Sequence, residues 1–264
     1  MRLRARGSRA PFASTPRTLY VHDDLTHDVT RQHGRESEAF RRAGELLNAI
    51  GGPGVVILQL DAQLDGLIAR GPWAPFDVTV GIGRAGERVA QQVHARTGWF
   101  PRIHPIALAR EENGAGGYDL STLGAPPLTR QLASLAGASS VAVVDDTVFS
   151  GLTVRVVLRA LPRGTLARTR AFCLRGVAET LATLGRLCPV AAGFAAPGRL
   201  LEDVSFINAS GLVRPGAIRR ARRRSLAFYQ RPQWMRAWFP GRSGAIIACC
   251  RSLRPLLEAN EVAA

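Results

Sequence analysis

Between residues 54 and 187, short apolar runs alternate with stretches in which apolar side chains recur every three or four positions. The first pattern is that of buried strands and the second that of amphipathic helices. "GVVILQLD" (54–61), "FDVTVGIG" (76–83), "RIHPIALAR" (102–110), "SVAVVDD" (140–146) and "TRAFCLRG" (169–176) read as strands. Pro105 interrupts the third of these and places it near a sheet edge. "RAGERVAQQVHARTG", "LTRQLASLAG", "GLTVRVVLRAL" and "VAETLATLGRL" read as the intervening helices. Upstream, Phe40, Ala43, Leu46, Leu47 and Ile50 share a helix face that Gly51-Gly52 stops. This alternation predicts an α/β fold, an open and mostly parallel sheet flanked by helices.

Two regions depart from the rhythm. Residues 1–35 show little periodicity and read as an N-terminal arm, followed by an α/β domain over 36–214. Residues 215–264 are rich in arginine and aromatics and end on the helix-like "AIIACCRSLRPLLEAN", a basic helical extension. Within the α/β domain, "EENGAGGYDLSTLGAPP" (111–127) is a loop long enough to be functional or disordered.

Composition adds constraints. Of 264 residues 46% are hydrophobic, enough for a core and against disorder throughout. The net charge of +15 points to an anionic partner, yet every basic residue is arginine. That is a compositional bias, and it weakens the charge as evidence for nucleic acid. The absence of lysine excludes Schiff-base chemistry and a Walker-type phosphate lysine. Cys173, Cys188, Cys249 and Cys250 lack metal-site spacing and read as reduced thiols of a cytoplasmic protein. No apolar run has the length of a membrane span. His22 and His27 lie among Asp23, Asp24 and Asp28, but without metal-site spacing, and read as surface polar residues.

The chemistry concentrates in "VAVVDDTVFSGLTV" (141–154). Ligands of parallel sheets bind beyond the carboxyl ends of strands, where Asp145 and Asp146 are expected. The turn after them enters a helix N-terminus, whose unpaired N–H groups and dipole favour an anion. Ser150 and Thr153 add hydroxyls, and Gly151 permits close approach. Acids for hydroxyl groups and a turn for an anion together fit a sugar phosphate.

This stretch is similar to the phosphoribosyl-pyrophosphate (PRPP) signature of the type I phosphoribosyltransferases. "VTVGIGRAGERVA" (78–90) resembles that family's pyrophosphate loop, and "ALAREENGAGGYD" (107–119) falls where the family keeps its mobile catalytic loop. The resemblance spans roughly residues 38–212. It implies that Asp145 and Asp146 bind the ribose hydroxyls directly or through Mg²⁺. It places the 5-phosphate on Phe149, Ser150, Gly151, Leu152 and Thr153, and pyrophosphate on Arg84, Ala85 and Gly86. Arg110 and Glu111 are expected to close over the leaving group. A hood over the acceptor would include Phe206 and Asn208, from "EDVSFINASGLV" (202–213). The implied activity is Mg²⁺-dependent transfer of a 5-phosphoribosyl group from PRPP to a small acceptor, by a homodimer.

One position departs from the family. Purine-salvage members often carry an acid where Phe149 stands, and phenylalanine cannot accept a proton. This weighs against 6-oxopurines and leaves orotate-like, uracil-like or less usual acceptors. The run "RRARRRSLAFYQRPQWMRAW" (219–238) fits an exposed helix, a subunit interface, an acceptor wall or a nucleic-acid surface. Since some family members are regulators that sense PRPP, a non-catalytic nucleic-acid-binding regulator is the alternative.

Overall fold

The α/β alternation builds a five-stranded sheet in which every neighbouring pair is parallel. Its order is Val190–Ala196, Thr169–Val177, Val141–Val148, Val78–Ile82, Ile103–Ile106. This computed structural model describes residues 3–4, 15–112, 118–220 and 223–259. Pro105 does lie in the edge strand Ile103–Ile106, where a missing N–H costs no ladder bond. One face of the sheet packs Val80, Ile106, Val141, Val143, Val157 and Cys173 together. Phe172 points to the other face and meets Phe100 at 5.1 Å and Phe76 at 5.4 Å between ring centroids.

Chain direction fixes where a ligand can enter. The chain forms Val78–Ile82, steps outward to Ile103–Ile106, then crosses to the other side of its first strand to form Val141–Val148. The order therefore reverses between Val78–Ile82 and Val141–Val148, the position at whose carboxyl ends open parallel sheets generally bind their ligands.

The chain divides into two compact units. The first comprises residues 1–6, 61–110 and 118–200 and carries this sheet. The second comprises 7–60, 111–117 and 201–264. Its sheet has three parallel strands, Val204–Asn208, Thr18–Asp23 and Val55–Gln59, with Thr18–Asp23 in the centre.

Several expectations change here. The strand at Val55–Gln59 belongs to this second sheet and not to the five-stranded one. Residues 18–33, read as part of an arm, form the central strand Thr18–Asp23 and the helix Leu25–His33. Leu19, Val21, Leu25 and Val29 are buried in the second core, so a period too short to register in the sequence still offsets the cost of ordering by burial. The C-terminal region is no appendage to that core. Trp234, Met235, Trp238, Phe239, Ile246, Cys250, Leu253 and Leu257 fill it together with Leu46 and Ile50. Ser37 caps the helix Glu38–Ile50 by accepting the Phe40 N–H at 3.1 Å. At its other end Arg242 donates to the carbonyls of Ala49, Ile50 and Gly51, where the helix dipole favours a cation.

Of the polar cluster near His22, His27 is exposed as expected, but His22, Asp23, Asp24 and Asp28 are buried, with Asp23 accepting the Thr26 N–H and Asp24 the Ser210 N–H. Part of the expected loop 111–127 is ordered as the strand Tyr118–Ser121, while residues 113–117 lie outside the described residues. Among the described residues no helix is long and apolar enough to cross a membrane.

Candidate active site

Three adjacent strands of the first unit each run into a helix at the same end of the sheet. Val78–Ile82 leads into Gly83–Thr97, Val141–Val148 into Leu152–Ala160, and Thr169–Val177 into Ala178–Gly185. The first transition has no loop: Gly83, at φ 58°, turns the chain straight into the helix. Arg84, Ala85 and Gly86 therefore form a helix's first turn and not a loop. Arg84 is exposed and Gly86 buried. A Cβ on Gly86 would lie 2.3 Å from the Val144 carbonyl oxygen and 3.3 Å from the Asp145 Cα. Only glycine lets this helix N-terminus rest against the strand at the level of the acids.

Asp145 and Asp146 do not come after the strand but lie within it, since pairing with Thr169–Val177 continues to Val148. Their side chains meet different surroundings. Asp145 is buried and its Oδ1 accepts the Asp146 N–H at 2.9 Å. Burial, and then the charge of Asp146, push its pKa well above the usual carboxylate range. Asp146 Oδ2 accepts the Thr147 hydroxyl at 3.0 Å and Nη2 of Arg175 at 3.1 Å.

Arg175 is the site residue that sequence reasoning missed. It is fully buried, and its Nη1 donates to Gln63 Oε1 at 3.3 Å. The signal was available: a single charge inside "AFCLRGV", a strand otherwise built for burial on both faces. The buried guanidinium places a positive charge against the Asp146 carboxyl group. Cys173 lies opposite Asp145 in the neighbouring strand, and burial together with the acid's charge pushes its thiol pKa up. That makes it an inert packing group.

The turn after the strand has the expected form. Gly151 adopts φ 69°, ψ 2°, and the helix Leu152–Ala160 starts immediately after it without a side-chain cap. A Cβ on Gly151 would press to 2.9 Å from Thr180. Phe149, Ser150 and Leu152 are half-buried, while Thr153 is buried. Thr153 Oγ1 accepts from Arg110 Nε at 3.3 Å, which ties the strand Ala109–Glu112 to this turn. Burial lowers the Arg110 pKa, and the charges of Asp145 and Asp146 oppose that shift. In the first unit, then, the two acids, the turn, Arg110 and the start of the Gly83–Thr97 helix come together.

The other expected residues belong to the second unit. Glu111 is next to Arg110 on the strand and is half-buried. Phe206 is buried, 5.3 Å from Tyr20 between ring centroids. Asn208 sits at the N-terminal cap position of the short helix Ala209–Val213.

Mg²⁺ is commonly held by one or two carboxylates together with substrate phosphates. Asp145 and Asp146 are hard oxygen donors of that kind. Among the described residues no group of three or more potential ligands forms an all-protein cage. Two carboxylates would fill part of the oxygen shell of a hard divalent cation and leave its other places to groups outside this set.

No protein-family model matches the chain, and neither does any curated protein. Among solved structures, the chain is similar to a hypothetical protein from Neisseria gonorrhoeae with bound ppGpp. The identity is 15% over 62% of this chain and 84% of that one, with a TM-score of 0.39. It is also similar to a purine phosphoribosyltransferase from Pyrococcus horikoshii. Here the identity is 16% over 71% of this chain and 91% of that one, with a TM-score of 0.35. Likenesses this distant decide nothing about what the chain binds.

Proposed function

We propose that the protein is a Mg²⁺-dependent phosphoribosyltransferase that takes PRPP as donor and releases pyrophosphate. One observation carries this reading: two acids and two helix N-termini meet where the strand order reverses. A ribose 5-phosphate bearing a 1-pyrophosphate needs this combination, acceptors for its hydroxyls between two donors for its anionic ends.

In this reading the 5-phosphate sits on the backbone N–H groups that open the helix Leu152–Ala160, with the Ser150 hydroxyl beside them. Asp145 and Asp146 accept the ribose hydroxyls, Asp146 being held in place by Arg175. Pyrophosphate lies toward Arg84 and the N–H groups of the Gly83–Thr97 helix. Mg²⁺ would be held by the two acids with the pyrophosphate oxygens and would neutralise charge on the leaving group. Arg110, anchored on Thr153, places a second cation at the same end of the sheet, with Glu111 next to it. Departure of pyrophosphate leaves positive charge on the anomeric carbon and ring oxygen, and the nearby carboxylates stabilise it. The acceptor then attacks the anomeric carbon.

Phe149 has no proton-accepting group, so base catalysis on the acceptor does not come from that position. This favours an acceptor other than a 6-oxopurine, a different nitrogen heterocycle or an alcohol or amine of specialised metabolism. Phe206 and Asn208 are proposed acceptor contacts.

Titration calorimetry with PRPP and Mg²⁺ tests the site. Wild type should bind and Asp145→Asn with Asp146→Asn should not, with the circular dichroism spectrum unchanged. Undiminished affinity in the double variant would refute the assignment. Pyrophosphate release with a panel of acceptors tests catalysis separately. PRPP binding without release from any acceptor favours the regulator alternative.

A further inference from the structure

The helix Leu60–Ile68 carries three polar side chains, and they divide by burial. Asp61 and Asp65 are exposed and both accept from Arg96. Gln63 is 3% exposed and shares the buried side of the helix with Leu64 and Leu67. A buried amide is costly unless it is hydrogen-bonded, so the partner of Gln63 shows what the burial achieves.

Two glycines bring this helix against the five-stranded sheet. A Cβ on Gly66 would lie 2.5 Å from the Gly193 carbonyl oxygen, and one on Gly193 would lie 2.1 Å from the Gln63 carbonyl oxygen. The same Cβ on Gly193 would come to 2.9 Å from the carbonyl oxygen of Leu174, the residue before Arg175. Helix backbone thus meets strand backbone where only glycine fits, beside the pair Phe194 and Arg175 of the parallel ladder. The close approach fixes the height of Gln63 over the sheet.

Arg175 is held at both ends of its guanidinium fork. Nη1 donates to Gln63 Oε1 at 3.3 Å, and Nη2 donates to Asp146 Oδ2 at 3.1 Å. Two contacts on separate elements fix the plane of a long side chain that one contact would leave free to turn. The Asp146 N–H in turn donates to Asp145 Oδ1 at 2.9 Å. A chain of hydrogen bonds therefore runs from the helix to both acids, and all four residues belong to the first unit. The amide is also neutral. It accepts from Arg175 without balancing the cation, whose charge stays available to Asp146. Glutamate has the same shape but would compete with Asp146 for that charge. We propose that Gln63 is a positioning residue, a neutral clamp on Arg175 that orients the Asp146 carboxyl group for the substrate. The proposal rests on the reading of Asp145 and Asp146 as PRPP-binding acids.

Titration calorimetry with PRPP and Mg²⁺, paired with thermal melts of the full chain without ligand, tests this. Gln63→Leu should weaken PRPP binding about tenfold. Gln63→Glu should bind at least as weakly, yet melt no lower than Gln63→Leu, because Arg175 gains a charged partner. A residue that only packs would give the opposite result, with the isosteric glutamate restoring affinity. In an Arg175→Met background, Gln63→Leu should change affinity by less than about twofold, since its effect runs through the guanidinium. The melts add a reading that needs no ligand. The Tm losses of Gln63→Leu and Asp146→Asn should overlap, so that the double variant melts about 2 °C or more above the additive expectation. Additive losses would overturn the proposal. So would PRPP affinity within about twofold of wild type in both Gln63 variants, or full rescue by glutamate. Coupled melts without PRPP binding by wild type would overturn the PRPP reading and leave the clamp standing.

Discussion

The chain contains the dipeptide Asp-Asp twice, and each copy ends or nearly ends the central strand of a parallel sheet. In the second unit the helix Leu25–His33 begins directly after the acids. Asp23 accepts the Thr26 N–H at 3.0 Å and its hydroxyl at 2.5 Å. Asp24 accepts the Ser210 N–H at 2.9 Å and its hydroxyl as well. These acids serve the fold. In the first unit residues 147–151 separate the acids from the next helix. Gly151 at φ 69° then starts a helix whose first N–H groups no acid of that pair caps. Asp145 is left buried beside Asp146, with Arg110 and Arg175 as the nearby cations. The same two residues near the end of a central strand bond to the start of a helix where one begins at once, and are left beside an open helix N-terminus where the strand runs on to Val148 and a three-residue turn, 149–151, intervenes.

The largest effect expected within this comparison concerns Arg175. Arg175→Met leaves the Asp146 carboxylate without its buried partner and should cost about 3 kcal/mol or more in urea unfolding. A loss below about 1 kcal/mol would mean that Asp146 is sustained by other groups. Next, Asp145→Asn with Asp146→Asn should weaken PRPP binding more than a hundredfold, about 2.7 kcal/mol. Asp23→Asn with Asp24→Asn should leave PRPP affinity within about twofold. If the two double variants lose affinity equally, the division of labour between the pairs is wrong. Smaller again is Asp24→Ala, which strips the acceptor from two Ser210 donors and should cost about 1–3 kcal/mol of stability without changing PRPP affinity. Unfolding curves superimposable on wild type would contradict a stabilising role for the Asp24–Ser210 contact.

How far the sequence reveals this difference depends on the length of each pattern. The five-stranded sheet is legible because its strands and helices repeat in one order over more than a hundred residues. The candidate site is legible because Asp145, Asp146, Ser150, Gly151 and Thr153 lie within nine residues. The second unit is assembled from three separated pieces, 7–60, 111–117 and 201–264. Its sheet pairs Thr18–Asp23 with strands that begin at Val55 and Val204, and no local rhythm announces pairings at that distance. "TLYVHD" alone is too short to distinguish a central strand from an arm. The arginine and aromatic content of 219–238 reads as a surface until the core that receives Trp234 and Trp238 is known. Arg175 escapes for a related reason. Its meaning lies in Gln63 and Asp146, 112 and 29 positions away.

The smallest predicted effect is a pH dependence carried by Asp145. Burial raises the folded-state pKa of Asp145 above its unfolded value, which is near 3.9. Across the interval between those two values the folded chain holds a proton that the unfolded chain has released. Stability from this group is therefore full below the unfolded pKa, falls as pH rises through the interval, and is gone above the folded pKa. Asparagine cannot ionise, so Asp145→Asn should escape that decline while its side-chain oxygen still accepts the Asp146 N–H. Thermal melts without Mg²⁺ or PRPP should give the variant the higher Tm at about pH 8, with the difference narrowing toward about pH 4. The gain accompanies a loss of PRPP binding, as expected where a charge is kept buried for a ligand. A wild-type Tm equal to or above that of the variant at pH 8 would show that Arg110 and Arg175 already offset the burial of Asp145.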